Sequence, residues 1–88
     1  MKEVKKTAAL KYENGYNAPI VTATGIGHIS DKILEKAKEN DIPIVYNKEL
    51  ADLLVNVEVG DNIPAELYEA VASVIAYILN LDKNMNRG

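Results

Sequence analysis

The sequence contains no cysteine, no tryptophan and no phenylalanine, and its single histidine is His28. The absence of cysteine excludes disulfides, zinc–thiolate sites and thiol nucleophiles, and it favours a cytoplasmic location. One histidine without a partner at ligand spacing does not make a metal site, so none is expected. No apolar run approaches the ~20 residues that span a bilayer, and no signal peptide is predicted behind the N-terminal lysines.

Basic residues are also few, with 10 Lys and Arg against 13 Asp and Glu and a formal net charge of −3. Proteins that bind nucleic acid usually carry a basic patch. The basic cluster of this sequence is confined to four lysines near the N-terminus: Lys2, Lys5, Lys6 and Lys11. We interpret this cluster as a solvated surface, and we expect no nucleic-acid partner.

The composition is otherwise that of a soluble globular protein, with 48% hydrophobic and 26% charged residues in a chain of 88. A chain of this size buries roughly 60–65% of its unfolded surface, which is enough for one core. The sequence has no internal repeat and no linker. It therefore predicts a single domain over residues 1–88, with fraying ends at 1–6 and 82–88.

The first half of the chain predicts a hairpin, a helix and a third strand. Two β-prone segments, TAALKY (7–12) and IVTA (20–23), flank the turn signal Asn14-Gly15. Apolar residues then recur at helical spacing over 26–40. The continuous apolar run IPIVY (42–46) predicts a strand parallel to the second one, joined to it by a right-handed crossover.

The second half predicts two more helices. Asn47 is a good N-cap for a short helix over KELADLL (48–54), and Pro64 fits the first position of a helix that runs to about Leu81. The alternating VNVEV (55–59) between them is interpreted as an extended connection, with a fourth strand left open. The predicted class is α/β, a small mixed β-sheet of three strands, or four, flanked by three helices in the order β-β-α-β-α-α.

A glycine pair in IVTATGIGHISDKIL (20–34) raises the question of nucleotide binding. A dinucleotide fingerprint requires a third glycine where this sequence has Ser30, and an acidic residue about 20 residues later at the tip of the next strand. We therefore interpret Gly25-Ile26-Gly27 as a strand-to-helix joint. The alternative function is that of a small nucleotide- or phosphate-ligand-binding protein that uses this turn. Ser30 and Ser73 have no base beside them in sequence, so no catalytic residue is expected.

The last predicted helix has two apolar stripes, roughly 90° apart. The first consists of Leu67, Val71, Val74 and Ile78, and the second of Tyr68, Ala72, Ile75 and Leu79. Together they span nearly twice the ~100° arc that a surface helix needs to pack on one core. The second stripe either packs under a loop or neighbouring helix, or it receives a partner. The pattern leaves both alternatives open.

Several motifs occur together in one order: ALKY (9–12), Ala-Pro before IV (18–21), ENDIPIV (39–45) and VEVGDNIPAELYEAVASVIAYI (57–78). In this order and spacing they resemble the cytoplasmic domain of the FlhB/YscU family, the export-switch proteins of flagellar and virulence type III secretion. The resemblance covers about Ala9 to Leu81, and its most specific part is EVGDNIPAELYEAVA (58–72).

Two features of the family are not expected in this sequence. Full-length members carry a transmembrane bundle, and they cleave themselves at an Asn-Pro-Thr-His tetrapeptide just before the strand that matches TAALKY. Here Lys2-Glu3-Val4-Lys5 occupy that place, so no self-cleavage, no enzymatic activity and no cofactor are expected. The strand that precedes the tetrapeptide in the family is also missing. We therefore expect an exposed sheet edge, through which the chain forms a homodimer or accepts a strand from a partner.

The resemblance also implies a binding surface. In the family, a small apolar patch on this domain is implicated in receiving export substrates, and its positions match Ala18, Pro19, Ala72 and Ile75. The expected function is that of a non-catalytic component or accessory of the export apparatus. It would dock export substrates, chaperones or other export components through this patch. The expected location is the cytoplasm, with recruitment to the cytoplasmic face of the inner-membrane export gate.

Overall fold

The computed structural model describes residues 4–86, and the side chains of residues 4–80. In chain order the elements are β1 (Lys6–Lys11), β2 (Ile20–Ile26), α1 (His28–Glu39), α2 (Lys48–Leu54), a 3₁₀ turn (Ala65–Leu67) and α3 (Tyr68–Asn86). The mixed α/β class and the three helices agree with the prediction. The predicted fraying of 1–6 and 82–88 falls partly outside the described residues and stays a prediction.

Strands β1 and β2 form the predicted antiparallel hairpin. Lys6 lies opposite Ile26 and Lys11 opposite Ile20, with a shift of register after Ala9. The loop between the strands contains Gly15 at φ +93°, a conformation that glycine adopts without strain. The Asn14-Gly15 turn signal is therefore confirmed by the backbone.

The joint between β2 and α1 accounts for both glycines of the Gly-Ile-Gly sequence. A Cβ at Gly25 would lie 2.8 Å from Ile29 Cγ2, from Ile33 Cδ1 and from the backbone N of Ser30. Helix α1 thus packs so closely on the end of β2 that only glycine fits there. Gly27 has φ +67° and immediately precedes the helix.

The prediction of a third strand at 42–46 is wrong. Among the described residues the sheet has two strands, and 42–47 form neither a strand nor a turn. We predicted a strand buried on both faces, yet the side chains of Ile42 and Tyr46 are 56% and 80% exposed. The physical reason is the lack of a partner, because no other described segment pairs its backbone with this one.

The fourth strand that the sequence left open is not found among the described residues either. The VNVEV segment forms turns, and the chain then runs along the outer side of β2 over 60–63. Val21 N–H donates to Asp61 O at 2.9 Å, and Gly60 N–H donates to Val21 O at 2.7 Å. A single bridge between Ile20 and Asn62 is all the pairing that results.

The core lies between β2, α2 and the start of α3. It consists of the buried side chains of Ala18, Val21, Leu50, Leu54, Ile63, Leu67 and Val71. The predicted cap of α2 is confirmed, since Asn47 Oδ1 accepts a hydrogen bond from Leu50 N–H at 3.1 Å. Helix α3 begins with a 3₁₀ turn after Pro64 and continues to Asn86, beyond the predicted end at about Leu81.

Candidate binding site

The two apolar stripes of α3 have different environments. In the first stripe Leu67 and Val71 are buried, and Val74 and Ile78 are half-buried. In the second stripe Tyr68, Ala72 and Leu79 are exposed, and Ile75 is half-buried. The second stripe is therefore largely uncovered by the rest of the described chain.

A hollow of about 310 Å³ lies beside this second stripe, between α3 and the segment that leads into β2. Its lining comes from two parts of the chain. The hairpin side contributes Tyr12, Asn17, Ala18 and Pro19, and the helix side contributes Tyr68, Val71, Ala72, Ile75, Ala76 and Leu79. The volume is at the lower end of the range of about 300–1,000 Å³ that is typical of ligand pockets.

All four residues predicted for the binding patch line this hollow. Ala18 and Pro19 are buried and form part of its floor, whereas Ala72 is exposed and Ile75 is half-buried. Val71, which is fully buried, completes the floor. The structure therefore brings together two pairs that lie more than 50 residues apart in sequence. Their role in binding stays a prediction.

Two hydrogen bonds to backbone carbonyls, one from a backbone N–H and one from a side-chain amide, hold the Ala18-Pro19 side of the hollow in place. Ile63 N–H donates to Pro19 O at 3.0 Å. The Asn62 side-chain amide donates to Ala18 O at 3.4 Å. Both donors lie immediately before Pro64 and the start of α3, so the two walls of the hollow are tied together by a short stretch of chain.

Tyr12 is a lining residue that was not among those predicted for the binding patch. Its ring lines the hollow, and it packs edge-on against Tyr16, with ring centroids 6.3 Å apart and an interplanar angle of 87°. Tyr12 is predicted as the last residue of the first strand, but the strand ends at Lys11 and the loop directs the tyrosine to the hollow. Tyr68 and Leu79 were in the second stripe, and their helical spacing was the signal that identified them.

The hollow is uncharged, since none of the described residues that line it is acidic or basic. The nearest ion pair along the chain joins Lys11 Nζ to Glu13 Oε2 at 3.3 Å, on either side of Tyr12. The hydrogen bond to the Glu13 carboxylate and its negative charge raise the pKa of Lys11. Both charges are thus compensated beside the hollow, and its lining offers contacts for an apolar group.

The described residues give no support to the nucleotide-binding alternative. Ser30, at the position of the missing third glycine, is fully buried, and its hydroxyl shares a hydrogen bond with the hydroxyl of Thr7. Gly25 allows the close packing of α1 on β2, and Gly27 supplies the positive φ that precedes α1. No group of His, Cys, Asp and Glu side chains within the described part of the chain is arranged to hold a metal ion.

None of the helices in the described part of the chain is both long enough and apolar enough to cross a membrane.

Comparison with known proteins agrees with the motif order. The model of the FlhB HrpN YscU SpaS family matches residues 5–78. The chain is 40% identical over 83 residues to the uncharacterized protein YlqH of Bacillus subtilis, covering 93% of this chain and 89% of that protein. It is 47% identical over 73 residues to the flagellar biosynthetic protein FlhB of Aquifex aeolicus, covering 81% of this chain and 21% of that protein.

Solved structures give the same result. The cytoplasmic domain of FlhB from Shewanella putrefaciens matches with a TM-score of 0.87 and 33% identity, covering 92% of this chain and 68% of that one. The C-terminal domain of PscU matches with a TM-score of 0.79 and 27% identity, covering 83% of this chain and 95% of that one. The chain spans about a fifth of the length of the FlhB proteins it matches. The resemblance predicted from the motifs is confirmed, and the chain belongs to the FlhB HrpN YscU SpaS family.

Proposed function

We propose that this protein is a non-catalytic component or accessory of a flagellar or type III export apparatus, and that it docks export substrates or partner proteins in the hollow beside α3. The observation that carries the proposal is the convergence of Ala18, Pro19, Ala72 and Ile75 on one uncharged hollow. The resemblance selects all four residues, and helical spacing independently places two of them, Ala72 and Ile75, in the second apolar stripe of α3. The helical pattern and the resemblance therefore agree on Ala72 and Ile75.

The shape of the hollow suits an apolar side chain carried on an extended or flexible segment. Its floor is buried and aliphatic, and its rim includes the exposed rings of Tyr12 and Tyr68. An aromatic side chain that buries about 150 Å² there gains about 4 kcal/mol at 25 cal/mol per Å². That free energy corresponds to a dissociation constant near 1 mM. Docking would therefore be weak and transient, as is needed for a site that handles many chains in turn.

Membership of the family also supports a proposal for the cellular location of this protein. Its solved structural relatives include the cytoplasmic domain of FlhB. We infer that this chain acts in the cytoplasm, at the cytoplasmic face of the export gate, and stands in for the cleaved C-terminal fragment of a full-length switch protein. The resemblance puts Lys2-Glu3-Val4-Lys5 at the place of the cleavage tetrapeptide, so the proposed role includes no self-cleavage.

The test compares Ala72→Asp with Ala70→Asp. Both alanines are exposed on α3, but only Ala72 lines the hollow. In NMR titrations with N-acetylphenylalaninamide as the probe, we expect shift changes at Ala18, Ala72 and Ile75 in the wild type and in Ala70→Asp. Ala72→Asp should abolish them, because a carboxylate would have to be desolvated by the incoming ring.

The same pair of variants is then tested with purified export substrates in pull-down experiments. Loss of binding in Ala72→Asp but not in Ala70→Asp, with unchanged thermal melts, supports the proposal. Equal binding by all three proteins would refute it. Ile75→Asp is a less clean variant, because Ile75 is half-buried and packs against the core, so its melting temperature should fall as well.

We further propose that the protein pairs with a strand of a partner or with a second copy through an exposed backbone edge. The support is the two-stranded sheet itself, which is smaller than a stable isolated sheet usually is. Size-exclusion chromatography with light scattering separates the two forms of pairing, since only the second raises the mass of the protein alone.

A further inference from the structure

The segment between α1 and α2, residues 42–47, is held at both ends but unpaired in the middle. At its start Asp41 has φ +56°, and Ile42 N–H donates to Ala37 O at 2.9 Å. At its end Asn47 has the extended backbone angles φ −149° and ψ 96° and caps α2. Pro43 favours an extended conformation of Ile42 before it. The segment is therefore fixed at both ends, with extended backbone at Asn47 and a preference for extended backbone at Ile42.

The backbone amides of Ile44, Val45 and Tyr46 make no hydrogen bond to any part of the described chain. The side chains along this stretch are largely apolar and accessible, with Val45 36% and Tyr46 80% exposed. An extended, β-branched stretch with unpaired N–H and C=O groups is what a pairing strand presents to its neighbour. The side chains, a tyrosine among β-branched residues, are those enriched in strands.

Pro43 determines which edge of this stretch is available. In an extended chain, successive residues direct their N–H and C=O groups to opposite edges. Pro43 and Val45 therefore share one edge, and Ile44 and Tyr46 share the other. Because proline has no N–H, the first edge keeps only the N–H of Val45. The second edge has the N–H and C=O groups of both Ile44 and Tyr46.

We propose that the Ile44–Tyr46 edge accepts an extended peptide segment of another protein by strand addition, and that this segment carries uncharged, β-branched side chains. The proposal rests on the pairing proposed above and names its location. The whole stretch 42–47 is uncharged, so a charged partner strand would find no counter-ion in it. Backbone hydrogen bonds would supply the affinity, and the exposed Ile42 and Tyr46 side chains would supply the contacts.

The small size of the edge favours a peptide segment over a second copy of this chain. Pairing over about five residues buries only a few hundred Å², well below the roughly 1,200 Å² of the smallest stable interfaces between folded proteins. A flexible segment can bind with a smaller buried area when the rest of its protein is tethered nearby or when the binding is transient.

The experiment uses a fluorescein-labelled peptide of alternating valine and threonine, titrated with the full chain and followed by anisotropy. Three variants are compared: Tyr46→Pro, Val45→Pro and Tyr46→Thr. Tyr46→Pro removes a donor from the proposed edge and Val45→Pro removes one from the opposite edge. Tyr46→Thr removes the ring but keeps the donor. Tyr46 is largely exposed and Val45 partly exposed, and neither N–H is bonded to any described residue, so the folds should be retained.

We expect saturable binding below about 1 mM for the wild type and a roughly tenfold weaker association for Tyr46→Pro. Val45→Pro should bind as the wild type does, and Tyr46→Thr should lose at most threefold. No saturation in the wild type, or equal losses in the two proline variants, would overturn the proposal. A dimer that Tyr46→Pro dissociates, seen by light scattering, would overturn it in favour of a second copy.

Ala72→Asp separates this proposal from the docking in the hollow. Ala72 lies on α3, and 42–47 is outside the lining of the hollow. The alternating peptide should therefore bind Ala72→Asp as tightly as the wild type, even if docking in the hollow fails. Parallel loss of both activities in Ala72→Asp would count against a separate strand-binding edge.

Discussion

The tripeptide Pro-Ile-Val occurs twice in this chain, at 19–21 and at 43–45, with two different structural outcomes. The first copy enters β2, where Val21 is fully buried. The second copy belongs to no strand, and Val45 is 36% exposed. The local sequence is the same, so the difference comes from what lies beside each copy.

The first copy has backbone partners on both sides. Ile20 pairs with Lys11 of β1, and Val21 exchanges hydrogen bonds with Asp61 and Gly60 on the other side. The second copy has no backbone partner among the described residues. Only the ends of the segment 42–47, which contains it, are fixed. Strand formation in this protein is therefore decided by available neighbours more than by the apolar pattern.

The largest expected difference between the two copies is in core packing. Val21→Ala should destabilise the protein by about 2–3 kcal/mol, because it leaves a cavity at a fully buried position. Val45→Ala should cost about 1 kcal/mol or less, because Val45 is 36% exposed and lies outside the core cluster. Urea denaturation of both variants at one temperature measures the contrast. Equal losses would show that the second copy is packed as tightly as the first.

A smaller loss of stability is expected from changing Asn47, two residues after the second copy. Asn47→Ala removes the hydrogen bond from Leu50 N–H to Asn47 Oδ1, and it should cost about 1 kcal/mol. For a domain of this size that is a fall of about 4–8 °C in Tm. Asn47→Asp keeps a capping oxygen and serves as the matched control. If the two substitutions lower Tm equally, the cap does not anchor the segment.

The smallest expected effect concerns the two ion pairs of Asp52, one within α2 and one that joins α2 to β1. Asp52 lies 3.1 Å from Lys48 Nζ and 3.3 Å from Lys6 Nζ. The hydrogen bond from Lys48, with a further one from Lys6, lowers the pKa of Asp52. A lowered pKa in the folded state contributes stability above the usual pKa of aspartate, and that contribution is lost as the pH falls through the folded value.

Asp52→Asn should therefore lower Tm slightly near neutral pH, by less than Asn47→Ala does. The difference from the wild type should shrink as the pH falls below the usual pKa of aspartate and vanish once the pH lies below the lowered pKa of Asp52 in the folded state. Thermal melts across this range, at low salt, measure it. A difference that stays constant with pH would mean that the amide disturbs packing instead of removing a charge interaction.

Much of the fold was predictable because its signals are local. The turn residues Asn14 and Gly15 specify the hairpin, and Asn47 specifies the start of α2. The end of α3 was predicted too early. The polar residues after Leu81 suggested fraying, but no glycine or proline stops the helix between Pro64 and Gly88. The missing third strand was not predictable, since a single sequence pattern does not reveal the lack of a neighbour.

The candidate site was predictable only in part. Helical spacing placed Ala72 and Ile75 in the second apolar stripe, which lies beside the hollow, and the resemblance singled these two out within the stripe. Ala18 and Pro19 have no such periodicity, and only the resemblance pointed to them. Tyr12 was missed because its position depends on the path of the hairpin loop, which residue types alone do not determine.

The uncharged lining of the hollow has a consequence for timing. Without electrostatic steering, capture should proceed at about 10⁶ M⁻¹ s⁻¹ or less and depend little on ionic strength. Combined with a dissociation constant near 1 mM, that rate gives each docked complex a lifetime on the order of a millisecond. Under the proposed docking, the hollow would sample passing chains quickly and release them, with little dependence on salt concentration.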